Sequence, residues 1–338
     1  MELEKYKEKG LSGLLNLGNT CYANSVIQCL NHTYPFIEML NQETHHINTK
    51  NCESKLFHEY NGLQKLMWDK NCIISPKRFL KYFLEVAKEK DRENFLYYQQ
   101  NDAGEFLQFL LECFHNSLSR EVTINIRGNP KRNQDKIAAK CFQAHKSFYE
   151  KEYSEMIKLF SAIQVSIVKH SDTNETSSII CEPFMSVVLP IMKLGVNANE
   201  KYELSLHDCF ESYCGKEDLG SRIKFTQFWS FPEILIVILN RFQGDGSRKN
   251  QKCVHFDHEQ ELDLSKYVIG YNPKQYKYNL YAVCNHTGVM DGGHYTSYVK
   301  NANGKWYHFN DDTIRDIGKN KIVSQKAYVL FFQKVAQK

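Results

Sequence analysis

The feature that most limits how this chain can fold is a change in the period of its apolar residues near position 160. Before it, apolar side chains recur every three or four residues: Tyr22, Val26 and Leu30; Leu56, Tyr60, Leu63 and Met67; Phe79, Phe83 and Ala87; Phe106, Leu110 and Phe114. That spacing places each set on one side of a helix. Ser75 and Pro76 stand ahead of the third set, reading as an N-cap and a first helical residue. After 160 the pattern turns to alternation, as in Ile163, Val165 and Ile167, and beyond 223 apolar runs of strand length follow at 234–239, 278–284, 295–299 and 328–332. Helices gathered in one half and strands in the other predict an α+β fold with segregated lobes, because a parallel sheet would need the two to alternate. The polar stretches 127–136 and 243–252 are the segments least able to pack and are expected to be mobile.

Charge narrows the function classes. Lys and Arg total 43 against 39 Asp and Glu, a net of +4 over 338 residues with the signs interspersed. Such a chain lacks the one-signed field expected of a nucleic-acid or anionic-membrane binder. The opening MELEKYKEKG is charged throughout, unlike a secretory signal, and no apolar run reaches the length of a membrane span. These features predict an intracellular protein, of the cytoplasm or nucleus, acting on neither nucleic acid nor membrane. Its 11 cysteines, an odd number without paired spacing, read as reduced thiols, most of them small buried hydrophobes.

Two constellations carry chemistry. Residues 10–30 read GLSGLLNLGNTCYANSVIQCL, so Cys21 follows a Gly/Asn turn and opens the first apolar-periodic helix. A helix N-terminus favours thiolate over thiol, and its unpaired backbone N–H groups can bind an oxyanion. Asn16, just upstream, can add a side-chain amide at the same place. Residues 288–299 read GVMDGGHYTSYV, in which Gly292 and Gly293 leave bare backbone beside His294, where an extended peptide can lie close. Asn310 and Asp311 follow one hairpin's length later, after a strand expected at 305–309. A hairpin can return either of them to His294 as the acceptor that orients an imidazole. Taken singly, a cysteine at a helix start, or one histidine among 13, is more often a core residue than a catalyst.

Together the two segments resemble the Cys box and His box of the ubiquitin-specific proteases. Further segments of that family's pattern follow in order: YQQNDAGEFLQFLL at 98–111, EPFMSVVLPI at 182–191, PEILIVILNRF at 232–242 and AYVLFF at 327–332. The resemblance runs from about Gly10 to Phe332. It implies one catalytic domain over 1–338 of papain-like fold, with a helical thumb over 10–160, β-fingers over 161–230 and a palm sheet over 231–338. It also implies a deubiquitinase. Such a thiol protease hydrolyses the isopeptide or peptide bond at the C-terminal glycine of ubiquitin through an acyl-enzyme, acting as a monomer on ubiquitin and ubiquitin-conjugated proteins. Carried over residue by residue, the resemblance makes Cys21 the nucleophile, His294 the base and Asn16 an oxyanion donor. Asn310 becomes the orienting third member, with Asp311 held as the alternative. Gln100, Asp102 and Glu105 fall where the family contacts the active-site cleft and the basic tail of ubiquitin. Asp102 followed by Glu105 reads equally well as a helix-capping pair.

One departure stands out. Many members of that family hold a structural zinc in the fingers with two Cys-x-x-Cys pairs, whereas the corresponding segments here read IVKHSDTNETS and GSRIKFTQFWS. Without those thiolates a tetrahedral site has nothing to build it, so no zinc and no other cofactor is expected. The nearest substitute set is His207, Asp208, Cys209 and Cys214, but Leu206, Cys209, Phe210 and Tyr213 have the spacing of a helix's core face. Two other classes are weighed against the hydrolase. A ubiquitin-binding pseudoenzyme sits poorly with an intact Cys21, His294 and Asn310/Asp311 set, and a transglutaminase or related acyl transferase sits poorly with the ordered series of segments.

Overall fold

The computed structural model describes residues 3–42, 47–96, 99–196, 202–243, 248–289 and 292–336. Seven of the described helices come first: α1 (Cys21–Asn31), α2 (Tyr34–Leu40), α3 (Glu53–Asp69), α4 (Lys77–Glu89), α5 (Ala103–Leu118), α6 (Asn133–Tyr149) and α7 (Glu155–Phe160). The four periodic sets lie buried on α1, α3, α4 and α5. They converge on an aromatic centre in which Tyr60 and Phe114 meet at a tilt, 4.6 Å between ring centroids, and Phe36 stacks on Phe114 at 6.0 Å. Helix α4 begins one residue later than its sequence suggested. Pro76 takes the N-cap place and its carbonyl accepts the first helical bond from the Leu80 N–H at 3.0 Å, with no side chain capping the end, so the expected cap by Ser75 is not made.

The strands form two principal sheets. The larger, eight-stranded sheet runs in the order Thr313–Ile317, Trp306–Asn310, His294–Lys300, Lys277–Thr287, Ala327–Lys334, Ile234–Asn240, Val187–Pro190, with Leu262–Asp263 added on the Lys277–Thr287 strand. Its pairings are antiparallel except for the last along that order. The strand Ile234–Asn240 explains why its sequence is an unbroken apolar run. Ile234, Ile236 and Ile238 face the helical core, whereas Leu235, Val237 and Leu239 face a second core beneath α8 (Leu206–Tyr213). A strand buried on both faces has no polar side to alternate with. Helix α1 lies across the helical face of this sheet, packed on the His294–Lys300 strand, which sets the first residue of one beside the first residue of the other.

The smaller sheet, in the order Thr176–Phe184, Ala162–His170, Arg222–Phe228, Lys216–Asp218, consists of two hairpins paired edge to edge. Where the family's zinc-binding pairs would stand, the hairpin tips are joined by a backbone bond from the Ser171 N–H to the Ser221 carbonyl at 3.1 Å. Helix α6 covers one face of this sheet through a small cluster of Ala138, Cys141, Ile163, Val165, Cys181 and Trp229. Of the stretch expected to be mobile at 127–136, the last residues instead form the first turn of α6. Asp135 accepts the Arg132 N–H at 2.9 Å and pairs with its guanidinium, which is the local reason the helix starts there. In the second such stretch, Arg248–Lys249 pairs with Phe242–Gln243, while residues 244–247 lie outside the described residues.

Candidate active site

The chain enters α1 through a turn in which Gly18 and Asn19 both have positive φ, at 103° and 54°, a conformation that glycine and asparagine tolerate best. The turn is wound about one atom, since Asn16 Oδ1 accepts the N–H groups of Gly18 and Thr20, each at 3.1 Å. Cys21 then opens the helix and is buried, with Thr20 at the N-cap but making no side-chain cap bond. The Thr20 hydroxyl accepts the Leu17 N–H instead, at 3.0 Å. The positive end of α1 is therefore presented at the Cys21 sulfur.

His294 opens its strand, and the next strand returns antiparallel with Ser297 opposite Phe309. Continued by one residue, that register sets Asn310 across from Thr296, on the same face as His294. Asn310 Oδ1 lies 2.6 Å from His294 Nε2, which leaves Nδ1 for the thiol. His294 titrates well above the ordinary range, at about 9. Its hydrogen bond with Cys21 is the largest cause, Asn310 and the charge of Asp311 add to it, and burial opposes them.

Asp311 points elsewhere. With φ at 51° it turns the chain so that its carboxylate accepts Asn16 Nδ2 at 3.0 Å and Asn24 Nδ2 at 2.8 Å, while its carbonyl accepts the Leu14 N–H at 2.9 Å. Of the two candidates for a third member, Asn310 touches the imidazole, and Asp311 binds the loop and helix that carry Cys21 to the sheet. Sequence reading missed Asn24. Its only signal was an amide three residues beyond Cys21 in the first apolar-periodic helix. Gly13 was missed as well, although a Cβ there would overlap the Asp312 backbone, so the N-terminal segment can pass this close only as glycine.

The residues expected to meet substrate are divided. Gln100 Oε1 accepts the Gly293 N–H at 2.8 Å, joining two of them to each other. Gly293 is buried, and a side chain on it would run into the His286 ring, so its missing Cβ makes room for a neighbouring side chain; only Gly292 is exposed. This corrects the expectation that both glycines leave open backbone for a peptide. Asp102 is the N-cap of α5, accepting the Glu105 N–H at 2.8 Å, and its other oxygen accepts the Tyr328 hydroxyl at 2.6 Å, fastening α5 to the large sheet. Burial raises its carboxyl above the usual range. Glu105 is exposed, with Asn94 Nδ2 at 3.1 Å. Both carboxylates line a cleft of about 300 Å³ with Arg241 and Tyr328.

Among the described residues no group of three His, Cys, Asp or Glu side chains is placed to hold a metal ion, and no helix is long and apolar enough to cross a membrane. The set around His207 serves α8 itself. Ser205 and Asp208 cap that helix, Asp208 pairs with Lys193 at 3.1 Å, and Cys209 is buried in the core.

The model of the ubiquitin carboxyl-terminal hydrolase family matches residues 12–332. The chain belongs to that family. Ubiquitin carboxyl-terminal hydrolase 2 of Homo sapiens is 32% identical over 351 residues, covering 96% of this chain and 55% of that protein. Ubiquitin carboxyl-terminal hydrolase 21 of Homo sapiens is 28% identical over 361 residues, covering 96% and 61% respectively. This hydrolase-family chain thus spans little more than half the length of those curated relatives. Among solved structures, a Ubp8-containing SAGA DUB module bound to monoubiquitin matches with a TM-score of 0.72 at 21% identity, over 98% of this chain and 70% of that one. The fold is that of the ubiquitin-specific protease type, with the helical lobe as thumb, the large sheet as palm and the small sheet as fingers.

Proposed function

We propose that this chain is a deubiquitinase, a thiol-dependent hydrolase of the isopeptide or peptide bond at the C-terminal glycine of ubiquitin. The observation that carries the reading is His294, held by Asn310 at 2.6 Å and bonded to Cys21 at the start of a helix, in a chain of this family. The thiolate of Cys21 attacks the glycine carbonyl, whose π electrons move to the oxygen. The Cys21 N–H and the second hydrogen of Asn16 Nδ2, the first being given to Asp311, receive that oxyanion. Protonated His294 passes its proton to the departing lysine amine as the C–N bond breaks, leaving an acyl-enzyme. Water then gives a proton to His294, attacks the thioester and releases Cys21.

Asn310 is uncharged, so it orients the ring without neutralising it. Asp311 supplies the nearby negative charge while holding Asn16 in place, which supports assigning it a positioning role. The cleft beside Asp102 and Glu105 suits a basic extended tail, with exposed Gly292 on the approach to His294 and Gln100 fixing the backbone behind it through the Gly293 N–H. On this reading the chain acts as a monomer inside the cell, in the cytoplasm or nucleus, on ubiquitin and ubiquitin-conjugated proteins, and requires no metal. Incubation with ubiquitin bearing a C-terminal electrophile tests it. A covalent adduct mapped to Cys21 is the expected result, and stoichiometric non-covalent binding without adduct or cleavage would replace the hydrolase by a pseudoenzyme.

A further inference from the structure

Outside the catalytic centre the described residues hold one close thiol pair without a metal-ligating neighbour. Cys141 of α6 and Cys181 of the Thr176–Phe184 strand stand 3.4 Å apart, sulfur to sulfur, within the small cluster that joins α6 to the four-stranded sheet. A disulfide needs roughly 2.0 Å between sulfurs, so a modest approach of one element to the other closes it. The Thr176–Phe184 strand can make that approach, because it is the edge of its sheet and pairs with a single neighbour. The two thiols also differ in access. Cys141 is wholly buried, whereas Cys181 retains 9% exposure. Hydrogen bonding from Cys141 and the charge of Lys140 lower Cys181 from the ordinary thiol range, which favours it as the first thiolate.

We propose that Cys141 and Cys181 are a dithiol that closes to a reversible disulfide when the protein meets a hydroperoxide, fastening α6 to the edge of the fingers sheet. The thiolate of Cys181 attacks the terminal peroxide oxygen, the O–O bond breaks, and Cys181 becomes a sulfenic acid while the leaving oxygen departs as an alcohol or water. Cys141 then attacks the Cys181 sulfur as its proton passes to the sulfenic oxygen, which departs as water. Two thiols are oxidised by two electrons and one peroxide is reduced. A small dithiol reverses the bond by exchange. This pair ties the sheet to the helix that covers it, and only under oxidising conditions.

The test uses Cys21→Ala protein, so that oxidation of the nucleophile stays out of the readout, with exposed Cys72 as an internal standard. Hydrogen peroxide is added to the folded protein and the cysteines are mapped by mass spectrometry after alkylation under denaturing conditions. The expected result is a peptide bearing Cys141 joined to one bearing Cys181, reopened by dithiothreitol, with amide exchange in α6 and the edge strand slowed by about tenfold or more. Cys181→Ser leaves Cys141 reduced, and Cys141→Ser leaves a sulfenic acid at Cys181 that reacts with dimedone. Oxidation of Cys72 with both Cys141 and Cys181 still alkylatable would overturn the proposal, and it does so in a protein carrying neither of the two serine variants.

Discussion

The two sheets of this molecule are built to different standards of burial. In the large sheet the strand Ile234–Asn240 is buried at every residue but its last, and Ala327–Lys334 is buried over its first six residues; each packs against a core on either face. In the small sheet Lys216–Asp218 is exposed throughout, Thr176–Phe184 buries only Cys181, and one helix covers one face through six buried residues. The candidate catalytic residues sit on the first sheet, on the helix pressed against it and in the turns that lead into and out of them. A hydrogen bond of 2.6 Å between side chains on neighbouring strands needs a scaffold that does not shift, whereas a sheet that carries none of these residues can be held by a thinner core.

The largest effect expected on the catalytic side is from Cys21→Ala, which should lower hydrolysis of a ubiquitin-linked fluorophore by about 10⁴-fold or more while leaving ubiquitin binding intact in a calorimetric titration. Cleavage retained in that variant would remove the nucleophile assignment and with it the reason for the rigid sheet. Next, Phe114→Ala in the helical core should cost about 3–5 kcal/mol, whereas Val165→Ala in the small cluster should cost about 1–2 kcal/mol. Denaturant titration measures both. Amide exchange should show the Val165 variant loosening the small sheet and α6 alone, and an equal loosening of both sheets would break the comparison between them.

Asp102→Ala follows, at about 1–2 kcal/mol, because it removes the α5 cap and the Tyr328 bond together. Asp102→Asn, which keeps an acceptor at the cap, should recover most of that stability, so any remaining loss of activity would be read as contact with substrate. The smallest effect is a titration. His294 is held at about 9 against an ordinary value of 6.5, so the stabilisation from its protonated form is complete below about 6.5 and is lost as pH rises through about 9. Hydrolysis should therefore decline on the alkaline side with a midpoint near 9. Replacing Cys21 by Ala removes the largest cause, and the ring's NMR titration should move down towards 6.5; a ring still titrating near 9 in that variant would transfer the shift to Asn310 and Asp311.

Much of this was legible in one dimension. The helical sets became buried faces of α1, α3, α4 and α5, and the strand-length runs became strands, because apolar period is a local property that burial then rewards. The family boxes placed Cys21 at a helix start and His294 at a strand start, where turn residues and period change mark the ends of elements. What sequence left open were relations between distant residues. Whether Asn310 or Asp311 reaches the imidazole depends on strand register and on the left-handed turn at Asp311, since adjacent residues point to opposite sides. Gln100 and Gly293, both expected at the substrate, bond to each other across the fold, and Gly293 is small because His286 packs against it. The Cys141–Cys181 pair carried no motif at all, and nothing in the segment 10–30 marked Asn24 or Gly13 apart from their neighbours. Apolar spacing and helix or strand starts are written in neighbouring letters, but a side-chain contact between segments far apart in the chain exists only once packing has set their separation to within an ångström.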